Sequence, residues 1–323
     1  MQVLGGQRGQ ARAVAEKDKW GRDMRIWSLG ILAALAACAS APPPASGPTL
    51  TPAEAIAAAA PGEWRPIPPE DLLLFTLGDG RVVTVQLAPA FAPVHVENIR
   101  RLARGGWWAG AAVYRVQDNY VAQWGRNESE RPFPAGVVAK PPAEYQRPVA
   151  GLRVTPLGSP DPYAPRAGFA EGWPVGIERD GTAALAHCYG AVGVGRDVAP
   201  DTGTGGELYA VIGHAPRHLD RNIALVGRLI DGIDALSARP RGTEALGFYK
   251  ERSSDVPIRS AALVADLPAA SRPRWEVLDT ASPSFIRYLW TRANRRDSFF
   301  IRPAGGVDLC NAPVPVRKAP SSG

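Results

Sequence analysis

Val113-Tyr114-Arg115-Val116-Gln117-Asp118-Asn119-Tyr120-Val121-Ala122-Gln123 is the stretch on which the fold turns. It reads as two short strands, over 112–116 and 120–125. Upstream, 72–77 and 81–87 flank Gly78-Asp79-Gly80, which predicts a hairpin. Val83, Val85 and Leu87 alternate there with Thr84 and Gln86, the pattern of a half-buried strand. A helix lies between hairpin and quoted stretch: Pro93 opens it, Val96, Ile99, Leu102 and Ala103 form one apolar stripe, and Gly105-Gly106 end it. Downstream, 126–181 is rich in proline with little periodicity, so a loop insertion or lid is expected. Strands resume at 183–193, 207–212 and 222–229, followed by a short helix over 231–237 and a last strand over 256–265. Many short strands with two helices imply a mainly β fold, a closed antiparallel barrel capped by two helices.

Composition agrees. Gly (34) and Pro (32) make up about a fifth of the 323 residues, punctuation suited to short strands rather than a helical bundle. The net charge of +6 is uneven: residues 272–318 hold nine Arg/Lys against four Asp/Glu, leaving the remainder almost neutral. That distribution speaks against a nucleic-acid binder and leaves a solvated basic extension over 269–323. Within it, Ser282 can cap a helix opened by Pro283, with Phe285, Ile286, Leu289 and Ala293 on one face expected to pack on the barrel.

The N-terminal region reads as an export signal. Ile26 to Ala37 is apolar, follows Met24 and Arg25, and ends in Leu35-Ala36-Ala37-Cys38. That ending resembles a bacterial lipobox, in which Cys38 would carry a lipid and hold the protein in the cell envelope, facing the periplasm from the outer membrane. The polar residues 1–23 suit Met24 as the natural start. Residues 39–66, rich in Ala and Pro, read as a tether, with local helix over 53–60, and the barrel domain as 67–268. Cys188 and Cys310 remain as an even pair in an oxidising compartment; a disulfide and two separate buried thiols both stay open.

Phe91-Ala92-Pro93-Val94-His95-Val96-Glu97-Asn98-Ile99, the quoted stretch, Gly193-Val194-Gly195-Arg196, Gly205-Gly206-Glu207-Leu208-Tyr209, and His218-Leu219-Asp220 through Gly227-Arg228 together resemble the cyclophilin family, in that order, over roughly residues 70–266. The resemblance implies a cyclophilin-like barrel and peptidyl-prolyl cis/trans isomerase activity without cofactor or metal, on proline-containing segments of exported proteins. It implies Arg115 as the catalytic donor and Gln123 as the residue that orients it. Tyr120, Val121, Tyr209 and Leu219 would line the proline pocket, with the backbone near Gly195 and Arg196 holding the extended peptide. The chain departs from the family's pattern at four places. Glu207-Leu208-Tyr209 stands where most members have Gln-Phe-Phe, so Glu207 is expected near Arg115, able to pair with it. Ile223 replaces a His or Tyr, His218 a larger aromatic, and Trp124 a small residue. Glu207 and Ile223 favour the alternative of a weakly catalytic peptide-binding or chaperone module on the same fold.

Other signals carry less. Asp201-Thr202-Gly203-Thr204 matches a short aspartic-protease signature, but it follows a polar loop and has no second copy, so it reads as a turn. His214 and His218 are four apart, yet Pro216 between them argues against a helix presenting both to a metal. Asn127-Glu128-Ser129 fits a glycosylation pattern that has no meaning in a bacterial lipoprotein.

Overall fold

The computed structural model describes residues 50–126, 129 and 131–320. The lipobox ending at Cys38, the start at Met24, residues 39–49, and Asn127 and Glu128 lie outside the described residues. Strands β1 (Trp64–Pro66), β2 (Leu72–Leu77) and β3 (Val82–Leu87) precede β4 (Ala112–Val116) and β5 (Val121–Gly125). Five further strands follow: β6 (Arg147–Pro148), β7 (Val154–Pro156), β8 (Arg166–Ala170), β9 (Trp173–Ile177) and β10 (Thr182–Leu185). The last six are β11 (Ala191–Val194), β12 (Leu208–Val211), β13 (Leu225–Asp231), β14 (Val256–Leu263), β15 (Trp275–Leu278) and β16 (Val316–Lys318). The helices are α1 (Pro52–Ala57), α2 (Pro93–Arg104), α3 (Asp234–Ser237) and α4 (Pro283–Ala293).

Eight strands close an antiparallel barrel in the order β11-β12-β5-β4-β14-β2-β3-β13, with β13 pairing back to β11. Closure removes the sheet edges that would otherwise seek partners. Leu73, Phe75, Val83, Val85, Val113, Val194 and Val226 fill its interior. The stripe of α2 predicted from Val96, Ile99, Leu102 and Ala103 is buried in this same core, as are Ala235 and Leu236 of α3. Trp124 is a core residue too, edge-on to Phe75 at 5.5 Å. The hairpin forms as expected, with Thr76 opposite Val82. Its second strand, however, is covered on both faces: Thr84 and Gln86 are buried as well.

Residues 126–181 are not simply a loop. They supply β6 to β9, which with β10 make a second sheet in the order β6-β10-β9-β8-β7. Strands of two to five residues, broken by prolines, leave no alternation for sequence reading to detect. The expected strand over 183–193 is divided between this sheet and the barrel, as β10 and β11.

The described part of the 39–66 segment is not a tether either. Thr51 caps α1 through a capping box, Ala55 is fully buried, and Trp64–Pro66 pair with β15 in a three-stranded sheet completed by β16. Helix α4 begins as read, with Ser282 Oγ accepting from Phe285 N at 3.1 Å. Its apolar face packs on α1 and the second sheet rather than on the barrel: Phe285 meets Phe169 edge-on at 5.0 Å in a core shared with Ala55, Leu278 and Leu309. Cys188 and Cys310 are joined by a disulfide, which ties the C-terminal extension to the turn between β10 and β11. Among the described residues, no helix is long and apolar enough to cross a membrane.

Candidate active site

A cavity of about 730 Å³ opens on the barrel wall formed by β4, β5, β11 and β12. Arg115, Gln123, Tyr120, Val121, Gly195, Arg196, Glu207, Tyr209, Leu219 and Ile223 all line it. His218 does not; it is exposed and stacks on the outside of Tyr120, ring centres 6.4 Å apart and planes 5° from parallel. The Gly195 amide is already spent on Glu207 O at 2.8 Å, so that N–H does not reach for a peptide. Arg196 donates to Asn222 O at 2.9 Å, which fixes the far rim.

Arg115 is held by three neutral oxygens. Its Nη1 donates to Gln123 Oε1 at 2.9 Å, Nη2 to Gln117 Oε1 at 2.6 Å, and Nε to Leu246 O at 2.7 Å. The Phe248 ring lies beneath the guanidinium, 5.4 Å from its carbon. Three of the five N–H groups are thus used, and each Nη keeps one. Burial lowers the Arg115 pKa, but a guanidinium stays charged at neutral pH.

Gln123 is fixed at both ends. While Oε1 serves Arg115, Nε2 donates to Tyr114 Oη at 2.7 Å. Burial, followed by the nearby Glu207 carboxylate, drives the Tyr114 pKa far up. Glu207 lines the same cavity, but the acceptors that hold Arg115 are the neutral oxygens of Gln123, Gln117 and Leu246.

Sequence reasoning missed Tyr114, Gln117, Leu246 and Phe248. A strand ought to send Tyr114 and Arg115 to opposite faces. A bulge between Val113 and Arg115 instead leaves both half-buried at the cavity. Leu246 and Phe248 sit on a strap that crosses β4, held by Gly242 N to Val116 O at 2.9 Å and Tyr249 N to Tyr114 O at 3.1 Å. Nothing in the Pro/Gly/Arg composition of 239–247 signals that placement.

Behind the pocket lies a buried polar chain. Asp220 Oδ1 accepts from His187 Nδ1 at 2.8 Å and Oδ2 from Arg217, which also donates to Asp161 at 3.0 Å. With Nδ1–H committed to Asp220, His187 Nε2 is the acceptor for the Tyr209 hydroxyl at 2.9 Å. This fixes one wall of the cavity. His95 similarly pins α2 to the insertion, with Nδ1 2.7 Å from Glu144 and Nε2 3.2 Å from Thr202 O. Asp201 is a turn residue as read, its carboxylate accepting from the amides of Asp197 and Gly203. Among the described residues no cluster of His, Cys, Asp or Glu could hold a metal.

The family model for cyclophilin type peptidyl-prolyl cis-trans isomerase/CLD matches residues 72–262, more than half of the chain. The chain belongs to the cyclophilin family of peptidyl-prolyl isomerases. This cyclophilin is 25% identical over 180 residues to a probable peptidyl-prolyl cis-trans isomerase of Brucella suis, covering 55% of this chain and 75% of that one. The corresponding protein of Brucella abortus is 24% identical over the same length. Cyclophilin AquaCyp293 from Hirschia baltica superposes with a TM-score of 0.61 at 25% identity, over 75% of this chain and 92% of its own.

Proposed function

We propose that this cyclophilin isomerises X–Pro bonds of exported proteins, with Arg115 as the donor that favours the twisted amide and Gln123 as its positioning residue. Rotation about a peptide bond meets a barrier of about 18–20 kcal/mol because resonance stiffens the C–N bond. Catalysis needs no nucleophile or metal. It requires an apolar seat for the pyrrolidine ring and a charge that stabilises the deconjugated amide more than the planar one. The observation that carries the reading is the Arg115 guanidinium, fixed by three neutral oxygens and retaining N–H groups, on a cavity that Val121, Tyr209, Leu219 and Ile223 also line. Neutral partners orient the charge without cancelling it.

Exchange NMR on short X–Pro peptides tests this. Arg115→Ala is expected to lower kcat/KM by about 10²–10³-fold, the size of effect seen when one transition-state donor is removed. Arg115→Lys keeps the charge but loses the fork, and should recover only part of the rate. Wild-type protein that binds the peptides without isomerising them would make this a binding module.

For localisation, the reading is a lipoprotein anchored through Cys38 and facing the periplasm. The Leu35-Ala36-Ala37-Cys38 pattern supports it, and so does the Cys188–Cys310 bond, since such bonds persist in oxidising compartments. Metabolic lipid labelling of wild type and Cys38→Ser tests the anchor; normal labelling of the variant would sink it.

A further inference from the structure

A second cavity, of about 440 Å³, shares no lining residue with the Arg115 pocket. It lies where β9, β10 and β13 meet the C-terminal extension, and both cysteines of the disulfide form part of its wall. Trp173, Leu185, Leu229 and Val314 give it an apolar surface. Two cations, Arg228 and Arg292, line it, and among the described residues no Asp or Glu does.

Arg228 is built into place by neutral partners. Its Nε and Nη2 donate to Gln86 Oε1 at 3.0 and 2.8 Å, and Nη1 donates to Gly172 O at 2.9 Å. The guanidinium carbon lies 4.6 Å from the Trp173 ring centre. Three of five N–H groups are engaged, and no carboxylate among the described residues forms an ion pair with it. Burial holds its pKa down at about 10, so it remains charged at neutral pH. Arg292 donates to the neutral Asn311 Oδ1 at 2.7 Å and lies 5.8 Å from the Tyr288 ring centre, with no ion pair among the described residues. A cation kept in an apolar surround without a counter-charge is costly, and that cost is recovered when an anion binds.

We propose that this cavity binds a small amphiphilic monocarboxylate of the medium-chain fatty acid type, with its carboxylate at Arg228 and Arg292 and its chain along the apolar wall. The lining pairs two cations without a carboxylate with an apolar stretch of Trp173, Leu185, Leu229 and Val314, which suits a ligand with one negative end and an apolar body. A peptide fits less well: Trp173, Tyr189 and Asn311 are the other side chains there with a hydrogen-bonding group, and each buried amide would need a partner.

Titration calorimetry on the full chain, with decanoate kept below its micelle concentration, is the test. Saturable binding of one decanoate per chain is expected, with decanol at least ten-fold weaker and acetate not bound. Arg228→Gln should weaken decanoate at least ten-fold with an unchanged circular dichroism spectrum. Should that variant not fold, Arg292→Gln at the rim and Val314→Trp, which fills the cavity, carry the test with the same expected loss. Decanoate that does not saturate, decanol that binds as well as decanoate, or undiminished binding by the folded variants would overturn the proposal. So would an apolar-ended peptide that binds the site where decanoate does not.

Discussion

Gly247→Ala separates the role of the strap from its mere presence. Gly247 has φ +80°, a conformation that costs an L-residue roughly 1–2 kcal/mol. A Cβ there would stand 2.5 Å from Gln117 Cα and 2.8 Å from Gln117 N, so the strap and β4 must part. That displacement strikes two of the three acceptors of Arg115 together: Leu246 O, the residue before, and Gln117 Oε1, the residue struck. A catalytic group misplaced by about 1 Å can lose about 10²-fold in rate. The expectation for Gly247→Ala is therefore a fall in kcat/KM of about 10–100-fold, with a stability loss of about 1–3 kcal/mol. Gly80→Ala is the control. Gly80 has φ +87° in the exposed hairpin turn, with nothing within 4 Å of an added Cβ. It should pay the backbone strain alone and keep wild-type activity per folded molecule. Exchange NMR for rate and urea unfolding for stability decide the matter. Equal activity in both variants at equal destabilisation would refute the claim that the strap holds Arg115.

Tyr209→Phe removes the donor to His187 Nε2 and leaves a buried ring nitrogen unsatisfied, at a cost of about 1–3 kcal/mol in urea unfolding. Burial holds the His187 pKa below its unfolded value of about 6.5, against the opposing pull of Asp220. The unfolded chain therefore takes up the proton first. The stability from neutral His187 should be complete above pH 7 and decline as pH falls through 6.5 towards the folded value, a slope that His187→Asn should flatten. Cys310→Ser opens a bridge spanning 122 residues and should cost about 2–5 kcal/mol, read as a lower unfolding temperature for the variant than for the oxidised wild type.

The barrel was legible because its signals are local. The hairpin at Gly78-Asp79-Gly80 and the stripe of α2 each declare themselves within a dozen residues, whereas most of the expected site, including Tyr120, Gly195, Arg196, Glu207, Leu219 and Ile223, lies outside β5, β11 and β12 and follows from the family's ordered motifs rather than from alternation. What escaped was non-local. The short second-sheet strands gain their meaning from pairing, and Trp64–Pro66 become a strand only because Trp275–Leu278, more than two hundred residues later, lie beside them. Ala55 and Ala59 looked like spacer for a related reason: alanine is small enough to be tether or helix-packing surface, and only the partner decides.

Glu207 shows most directly how the same residue changes meaning in context. Beside an arginine, a carboxylate suggests an ion pair that would occupy Arg115 and blunt a catalytic charge. The bulge in β4 brings Tyr114 to the same cavity, and Arg115 is held there by neutral oxygens instead. A guanidinium can only donate, so the Gln123 group that meets it must be an acceptor, and Gln123 Nε2 is left to donate to Tyr114 Oη at 2.7 Å. That assigns the Gln123 amide: its Oε1, not its NH2, is turned to Arg115. A reversed amide would set two donors against each other there. Under the proposed mechanism, Glu207 leaves Arg115 to the chain of Gln123 and Tyr114, which orients the guanidinium through neutral contacts and leaves its charge for the substrate.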